Sequence, residues 1–436
     1  MISPRRLLHS LAPTAALSSA VAVTVLGIFL FGAGLVLSFR VVAAPFLSQL
    51  TVNWNNMLSG LVGPESVRQA NHFAGGMLLL LGLSLAIGGV QGVFRQFMIG
   101  INPEFGDKIG TLYFRRVQLA RGPKIVALGG GTGLSTLLRG LKRHSSNITA
   151  VVTVTDDGGS SGRLSQELGI IPPGDLRNCL VALADSERQL TDLFQYRFTG
   201  QAGSLSGHSL GNLLIAGLVD ICDGDFERAL GMASEVLNIR GRVIPSTLER
   251  VRLRALQTDG SEICGETAIV AAKGKIRRLF IDPPDAHPFP EAIRAIREAD
   301  ILVIGPGSVY SSVIPNLLVP GIADAIRQSK ARKFYVCNVM TEPGESDTFS
   351  ACEHVIAIES NIEGRLFDSV LVNAQIPSHD MLEKYRTRDQ FPVEADLDRI
   401  RTMGLRVVAG DFMSESDFVR HDPIKVADAI LHRGRK

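Results

Sequence analysis

Five consecutive residues near position 130 have the composition of a phosphate-binding loop. They read Gly129-Gly130-Gly131-Thr132-Gly133. A short apolar run precedes them and leucines at helical spacing follow, so the predicted order is strand, glycine loop, helix. Such a junction directs backbone N–H groups and the positive end of a helix toward one point. The loop is neither a Walker A motif, which needs Gly-Lys-Ser/Thr, nor a complete G-x-G-x-x-G motif, because Leu134 replaces the last glycine.

Two adjacent carboxylates follow a second apolar run. The run is Ile148–Thr155, and Asp156, Asp157 and the glycine- and serine-rich segment 158–162 come after it. Asp156 lies where an acidic residue commonly accepts hydrogen bonds from ribose hydroxyls. Alternatively, Asp156 and Asp157 hold Mg²⁺ beside a diphosphate, because carboxylates are ligands that this cation prefers. A structural interpretation is also open, since Asp-Gly sequences form Asx-type turns.

Polar residues also begin two predicted helices. Asp175 is the expected N-cap of the first helix, and Arg177 and Asn178 behind it are candidate ligand contacts. His208 and Asn212 lie in the segment Gly-His-Ser-Leu-Gly-Asn, which opens a second, apolar helix. His208 either has a structural role, donates a hydrogen bond to a phosphate, or acts as an acid or base.

Two further apolar runs end in loops that complete the candidate site. Ile301–Ile304 reads as a buried parallel strand, and Lys333–Asn338 reads as another. The ligand contacts predicted in the loops that follow are Gly305, Gly307, Ser308 and Asn338. Because the carboxyl ends of parallel strands gather at one edge of a sheet, all these loops are predicted to share a cleft.

The elements that position these residues alternate between strands and helices. Four β-type runs end in polar, mostly glycine-rich loops with helices between them. This order predicts an α/β protein with a Rossmann-like, doubly wound and mainly parallel sheet. From about Arg250 to Ile281 a small antiparallel insert is predicted, in which no residue is assigned a chemical role. Its β-type runs are Val251–Leu256, Thr267–Ala271 and Ile276–Ile281.

Two long runs without charged residues precede this domain. Their apolar centres are residues 20–39 and 73–93, and roughly 20 helical residues cross the hydrocarbon layer of a membrane. We therefore predict two transmembrane helices in a membrane anchor (1–97), a juxtamembrane linker (98–122) and a soluble domain (123–436). The flanking basic residues place both ends in the cytoplasm, which predicts a multi-pass inner-membrane protein. A cleaved signal peptide is the alternative for the first run.

Composition narrows the class of protein. The chain is 45% hydrophobic and 20% charged, which is typical of a globular protein and excludes a disordered one. Its 45 basic and 43 acidic residues give a net charge of +2, so no basic surface for nucleic acid is predicted. The five cysteines form no C-x-x-C pair, and we expect reduced thiols rather than disulfides or a zinc site.

Six sequence blocks between about Lys124 and His354 together resemble one family. They read VALGGGTGLSTLLRGLK, ITAVVTVTDDGGSSGRL, PPGDLRNCLVALAD, GHSLGNLL, IGPGSVYSSVIPNLLVPGI and CNVMTEPGE. Their order and spacing resemble the YvcK-like proteins, also called gluconeogenesis factors, in a superfamily that includes the CofD-type 2-phospho-L-lactate transferases. One departure is Glu342, where family members usually carry Gln. If that loop touches the ligand, the added negative charge predicts a different specificity.

The resemblance implies a Rossmann-like domain that binds UDP-sugars, notably UDP-N-acetylglucosamine. It also implies a role in carbon metabolism, cell shape and envelope synthesis, with envelope-synthesis proteins as partners and no required cofactor. A homodimer is the expected oligomeric state for this fold class. Carried over to this chain, the site consists of Gly129–Gly133, Asp156, Asp157, Arg177, Asn178 and Gly305–Ser308.

Three functions stay open at this stage. The first is a membrane-tethered regulator that senses a UDP-sugar, because no set of nucleophile, base and orienting group is evident. The second is a Mg-dependent phosphotransferase of the CofD type, with Mg²⁺ on Asp156 and Asp157 and a nucleotide-activated phospholactate as donor. The third is an NAD(P)-dependent oxidoreductase, which the missing third glycine opposes.

Overall fold

The computed structural model describes most of the chain from residue 116 onward. The described residues are 116–432 without 186, 201–202 and 416–417, together with scattered positions between 44 and 88. Two compact units are distinguished, Met1–Arg116 and Val117–Lys436. In the first unit, residues 48–60 form a helix.

The predicted membrane anchor falls largely outside the described residues. Residues 20–39 lie entirely outside them, as do 98–115, and only a few scattered positions of 73–93 lie within. Among the residues that are described, no single helix has both the length and the apolar character needed to cross a membrane. The anchor therefore stays a prediction.

The second unit is an α/β domain built from the following elements. The strands are β1 (Ile125–Gly129), β2 (Ile148–Val152), β3 (Arg242–Pro245), β4 (Arg252–Gln257), β5 (Glu262–Cys264), β6 (Ile276–Asp282), β7 (Ile301–Ile304), β8 (Arg332–Val336), β9 (Ser369–Asn373), β10 (Arg406–Gly410), β11 (Met413–Glu415) and β12 (Val419–His421). The helices are α1 (Gly131–Leu141), α2 (Gly159–Leu168), α3 (Gly174–Leu183), α4 (Glu187–Gln195), α5 (Leu210–Ile221), α6 (Phe226–Val236), α7 (Glu266–Ala272), α8 (Pro290–Glu298), α9 (Ile314–Leu318), α10 (Ile322–Gln328), α11 (Ala351–Asn361), α12 (His379–Arg386), α13 (Leu397–Thr402) and α14 (Pro423–His432). A π-helical turn, Val309–Val313, precedes α9.

A seven-stranded sheet organises this unit. Its spatial order is β10-β9-β8-β7-β1-β2-β3, and every pairing within it is parallel. β1, β7 and β9 are buried along their whole length, as expected of apolar strands that are covered on both faces. The predicted α/β, Rossmann-like architecture with a parallel sheet is thereby confirmed.

The insert is an antiparallel sheet of order β5-β4-β6, but one of its predicted strands is wrong. The segment predicted as strand Thr267–Ala271 lies in α7. The apolar residues there suit either structure, and two observations favour the helix. Gly265, with φ +101, reverses the chain after β5, and the alanines of α7 have high helix propensity. The insert itself is confirmed.

A second, smaller hydrophobic cluster joins the C-terminal hairpin β11–β12 to α12 and to the loop after β8. Its members are Val339, Met340, Met381, Tyr385, Met413 and Val419. The Tyr385 hydroxyl accepts a hydrogen bond from the Val419 backbone N–H at 2.9 Å and lies 3.2 Å from the Val419 carbonyl oxygen, to which it donates. These contacts fix the hairpin beside the carboxyl end of the large sheet.

Candidate functional site

A cavity of about 550 Å³ lies where the strand order of the large sheet reverses. β1 has β2 on one side and β7 on the other, so later strands are added to the sheet on both sides of β1. In open α/β sheets, ligands bind in the crevice at this switch point, outside the carboxyl ends of the strands. Residues from the loops after β1, β2, β7 and β8 line the cavity here.

About half of the predicted site residues meet in this cavity. Those that line it are Gly130, Gly131, Thr132, Gly133, Asp156, Gly307, Ser308 and Asn338. Those that are not among its lining residues are Gly129, Asp157, Arg177, Asn178, His208, Asn212 and Gly305. The turns at 129–133, 156–162 and 305–308, which the sequence analysis assigned to one cleft, therefore each contribute to it.

At two positions the glycine loop after β1 packs too closely against its neighbours to carry a side chain. A Cβ on Gly133 would lie 2.4 Å from the carbonyl oxygen of Pro306, in the loop after β7. A Cβ on Gly130 would lie 2.5 Å from Asp175 Oδ2. Loop packing therefore accounts for part of the glycine pattern that predicts phosphate binding.

Asp175 does not cap its own helix, so that prediction is wrong. α3 begins at Gly174, its N-cap is Pro173, and no side chain caps it. The Asp175 carboxylate instead accepts a hydrogen bond from the backbone N–H of Gly131, at the N-terminus of α1. Burial and the nearby Asp156 raise the pKa of Asp175 to about 6. An internal carboxylate thus occupies part of the anion-binding end of α1.

The side chains of the two adjacent aspartates make different contacts. Asp156 Oδ1 accepts the Gly158 N–H at 3.0 Å, which is the Asx-type turn, and burial raises the pKa of Asp156. Asp157 Oδ1 accepts hydrogen bonds from Thr267 in α7, at 2.9 Å from the backbone N and 2.6 Å from Oγ1. Both line a second cavity of about 380 Å³, whereas only Asp156 lines the first. No group of three or more His, Cys, Asp or Glu side chains in the described part of the chain is placed to hold a metal ion.

Arg177, His208 and Asn212 form a buried hydrogen-bond network behind the loop 156–162. Arg177 donates to Ser209 Oγ and, at 3.0 Å, to Asn212 Oδ1. Asn212 Nδ2 donates to Ser160 Oγ at 3.1 Å, and His208 Nδ1 lies 3.1 Å from the same oxygen. Burial lowers the pKa of His208, which favours the neutral ring. These contacts favour the structural role of His208.

Asn178 takes part in the same network at its partly exposed end. Its Oδ1 accepts hydrogen bonds from Arg177 Nη2 and Gln195 Nε2, both at 2.9 Å. Burial lowers the pKa of Arg177 to about 10, which leaves the guanidinium charged at neutral pH. The network ties the starts of α2, α3 and α5 together and so supports the loop that carries Asp156.

The loops after β7 and β8 are joined by a chain of polar contacts. Asn338 Oδ1 accepts the Gly307 N–H at 3.0 Å, and Asn338 Nδ2 lies 3.3 Å from Glu342 Oε1. Ser308 Oγ donates to the other Glu342 oxygen. Glu342 lines the cavity, and burial together with the charge of Glu345 raises its pKa to about 7. The residue that departs from the family pattern therefore borders the candidate site.

Glu345 provides a second internal anion at the sheet edge. Its Oε2 accepts the backbone N–H groups of Tyr310 and Ser311 at 3.2 Å each, and its Oε1 accepts Ser311 Oγ at 2.7 Å. These amides begin the π-helical turn after β7. Burial raises the pKa of Glu345. The helical turn after β7 is thus capped by a carboxylate, as α1 is by Asp175.

The positive charge of the cavity comes from the C-terminal part of the domain. Arg388 and Arg420 both line it, and both are exposed. Their guanidinium carbons lie 5.6 Å and 5.1 Å from the ring centroid of Phe418. Within the described residues, neither guanidinium pairs with a carboxylate. Two cations held on one ring at the solvent side of an acidic cavity form a binding surface for an anionic group.

A family model described as the 2-phospho-L-lactate transferase CofD matches residues 125–413. The match runs from β1 into β11 and includes every loop that the large sheet contributes to the cavity. The chain belongs to the CofD family. Within it, the chain is 50% identical over 308 residues to the gluconeogenesis factor of Halalkalibacterium halodurans, covering 70% of this chain and 95% of that relative.

Other members of the CofD family extend the comparison. The gluconeogenesis factor of Bacillus subtilis is 46% identical over 310 residues, covering 71% of this chain and 97% of the relative. A putative gluconeogenesis factor of Nostoc is 48% identical over 378 residues, covering 86% of this chain and 82% of the relative. A crystal structure of a Bacillus halodurans protein has a TM-score of 0.69 and 49% identity, covering 71% of this chain and all of that one.

Sequence reasoning missed several residues at the cavity of this CofD-family chain. Glu266 lies in the insert, where no chemistry was predicted, because α7 was interpreted as a strand. Arg388, Phe418 and Arg420 follow the last recognised motif and show no periodicity or spacing that would single them out. Tertiary contacts alone bring them to the sheet edge.

Proposed function

We propose that this CofD-family chain binds a UDP-sugar of the UDP-N-acetylglucosamine class and acts as a ligand-sensing regulator. The single observation that carries the proposal is the cavity at the strand switch point, which is lined by two glycine loops and by two arginines that pair with no carboxylate among the described residues. Its volume of about 550 Å³ suits a small-molecule ligand. The resemblance to YvcK-like proteins supplies the uridine diphosphate and the link to carbon metabolism, cell shape and envelope synthesis.

The charges in the cavity favour one orientation of such a ligand. Guanidinium groups bind phosphate oxygens bidentately, so the diphosphate is expected beside Arg388 and Arg420. Asp175 and Glu345 already accept hydrogen bonds at the starts of two helices, where they would repel a phosphate. Uncharged hydroxyl groups of the sugar or ribose suit the acidic side, because they donate hydrogen bonds to carboxylates.

Two groups in the cavity that could act as acid or base have structural contacts instead. His421 Nε2 donates to the carbonyl oxygen of Cys337 at 3.1 Å, and burial lowers the pKa of His421 to about 4. The Tyr385 hydroxyl is held by the backbone of Val419. These contacts favour a binding role over acid–base catalysis.

Calorimetry on the purified full-length chain tests the proposal. UDP-N-acetylglucosamine and UDP-glucose are titrated in parallel with GDP and NAD, at fixed salt concentration. The proposal expects saturable binding of the UDP compounds and weaker or no binding of the others. A chain that binds NAD more tightly than any UDP compound contradicts it.

One observation favours a second function. The matching family model is that of a 2-phospho-L-lactate transferase, and Asp156 and Asp175 lie together beside the glycine loop. A Mg-dependent transferase would use such carboxylates to hold the cation beside a diphosphate. Incubation with a nucleotide-activated phospholactate, a deazaflavin acceptor and Mg²⁺ separates the two functions, because product formation supports the transferase and overturns the regulator.

The proposal includes a location at the inner membrane through residues 1–97, with the α/β domain in the cytoplasm beside envelope-building proteins. Its support is the length and charge asymmetry of the two apolar runs. Fractionation of cells that express the full-length chain is expected to recover it with the membranes after a high-salt wash. Recovery of the full-length chain in the soluble fraction would contradict this part.

A further inference from the structure

The three-stranded insert contributes one side chain to the cavity. α7 starts at Glu266 directly after Gly265, and the Glu266 carboxyl lines the cavity together with Asp156 and Asp175. Thr155 Oγ1 donates a hydrogen bond to Glu266 Oε2 at 3.1 Å. Among the described residues, no hydrogen-bond partner contacts Oε1. One carboxyl oxygen is thus free to meet a ligand.

Two loops of the large sheet hold α7, one at each end of the helix. Asp157 accepts both the backbone N–H and the hydroxyl of Thr267. A Cβ on Gly265 would lie 2.6 Å from Asp157 Oδ2, so the contact is close on both sides of Glu266. At the far end of the helix, a Cβ on Gly344 would lie 2.3 Å from the Val270 carbonyl oxygen. The insert is therefore held between the loops after β2 and β8, and these contacts fix the backbone that carries Glu266 beside the cavity.

The charged groups that act on Glu266 are three carboxyls. Asp156 comes from the loop after β2, Asp175 from α3 and Glu345 from the loop after β8. The pKa of Glu266 is raised to about 9. Burial is the main cause of this rise, and the three carboxyls add to it. At pH 7 the Glu266 carboxyl therefore carries its proton.

The remaining elements packed against α7 do not change the protonation state of Glu266. On β4 and β5, Arg254 and Glu262 pair with each other at 3.4 Å, Arg252 lines the second cavity, and Cys264 is exposed. None of these side chains contributes to the raised pKa of Glu266. A protonated carboxyl has an O–H group that donates a hydrogen bond, and here that donor lines the cavity together with the carboxyls of Asp156 and Asp175.

We propose that Glu266 is a specificity-determining residue, which donates a hydrogen bond to an uncharged oxygen acceptor of the bound nucleotide sugar, and that Asp157 is its positioning residue. The acceptor is a carbonyl or hydroxyl oxygen rather than a phosphate, because the neighbouring Asp156 and Asp175 repel anions. This inference rests on the proposed function. It also gives the insert and Asp157 a role in ligand recognition that does not depend on a metal ion.

The test compares Glu266→Gln and Glu266→Ala in the full-length chain, with Glu262→Gln as the matched control on β5. UDP-N-acetylglucosamine is titrated by calorimetry between pH 7 and pH 9.5. Because Gln keeps an uncharged donor, Glu266→Gln should bind within about twofold of the wild type at pH 7, and Glu266→Ala about three- to tenfold more weakly. Wild-type affinity should fall as pH rises through about 9, and Glu266→Gln should lose that fall.

Asp157→Ala tests the positioning role. If Asp157 acts through Glu266, Asp157→Ala weakens binding and abolishes the pH step, and its effect is not additive with that of Glu266→Ala. Additive effects, or a lowered melting temperature with unchanged affinity and pH profile, would show that Asp157 is only structural. That result overturns the positioning claim.

Other outcomes separate this inference from the proposed function. Wild-type affinity in Glu266→Ala overturns the inference and leaves UDP-sugar binding in place. Binding that needs added Mg²⁺ and disappears in Glu266→Gln also overturns it, because the carboxylate would then be a metal ligand. A wild-type chain that binds no UDP compound overturns the proposed function and, with it, this inference.

Discussion

Gly131 donates its backbone N–H to the carboxylate of Asp175, so the helix after the glycine loop begins beside an anion of the chain itself. The Glu345 carboxylate likewise accepts the backbone N–H groups of Tyr310 and Ser311 at the turn after β7. Helix N-termini normally attract phosphate groups. With both occupied by carboxylates, the cationic part of this cavity lies instead at Arg388 and Arg420 on its exposed side.

The two arginines should therefore dominate the binding of a diphosphate. Arg420→Ala and Arg388→Ala are each expected to weaken UDP-sugar binding by about tenfold or more, because a charge-assisted hydrogen bond is lost. Both substitutions should also make UDP-sugar binding less dependent on salt concentration. Arg277→Ala, at an exposed arginine of β6 that does not line the cavity, is the control. Calorimetry at two salt concentrations checks both effects, and equal affinity in all three variants would contradict the proposed orientation.

Glu342 should make the binding of anions depend on pH near neutrality. Its pKa is raised to about 7, so as pH rises from 6 to 8 the carboxyl ionises and adds negative charge to the cavity. Wild-type affinity for a UDP-sugar is expected to fall by about threefold over this range, from repulsion at an effective dielectric of about 20. Glu342→Gln, which stays neutral, should reduce the fall, and the part that remains near pH 6 comes from Asp175, whose pKa is about 6.

The matched control for Glu342 is Glu298→Gln, which removes an exposed carboxyl paired with Lys124 outside the cavity. It should retain the wild-type pH profile. The same fall in affinity in wild type and Glu342→Gln would show that another group titrates.

The buried network around Ser160 should affect stability more than binding. Asn212→Ala leaves Arg177 and Ser160 without one hydrogen-bond partner each, at a cost of about 1–3 kcal/mol in the free energy of unfolding. Affinity for the ligand should stay within about twofold, because Asn212 is not among the lining residues of the cavity. Thermal unfolding and calorimetry together check this, with the exposed Gln328→Ala as control. A large loss of affinity in a stably folded Asn212→Ala chain would restore its predicted ligand contact.

A pair of glycine variants tests whether loop packing or helix propensity governs the glycine pattern. Gly133→Ala places a Cβ 2.4 Å from the Pro306 carbonyl oxygen and should lower the free energy of unfolding by about 1–3 kcal/mol. Gly217→Ala, in α5 with no heavy atom within 4 Å of the added Cβ, should raise it by up to about 1 kcal/mol. Denaturant unfolding measures both changes. Equal stability of Gly133→Ala and wild type would show that the two loops separate readily.

The sequence predicted the sheet well because buried parallel strands have a strong local pattern. The apolar run at Ile301–Ile304 was confirmed as a buried parallel strand, and its glycine loop lies at its carboxyl end. The run at Ile276–Ile281 was confirmed as a strand of the antiparallel insert. β3 escaped notice, because Arg242–Pro245 is short and carries an arginine and a proline. The strand predicted within α7 was wrong, because a run of small and β-branched apolar residues fits the period of a helix as well as that of a strand.

Which residues form the site depends on contacts between side chains and loops that are distant in sequence. Local sequence patterns do not determine these contacts. The spacing of Asp156 and Asp157 suggests a pair, yet one borders the main cavity and the other holds α7. The position of Asp175 suggests a cap of its own helix, yet it contacts a different one.

By itself, the sequence determined that the chain is an α/β protein with glycine loops at the ends of buried strands, because apolar periodicity and backbone freedom are local properties. Only the tertiary structure decided that the cavity has an acidic interior and two exposed arginines, since burial and charge proximity arise between distant segments. Glu266 and Arg420 illustrate the difference: each is an ordinary charged residue in sequence, and each acquires its role from the groups that surround it.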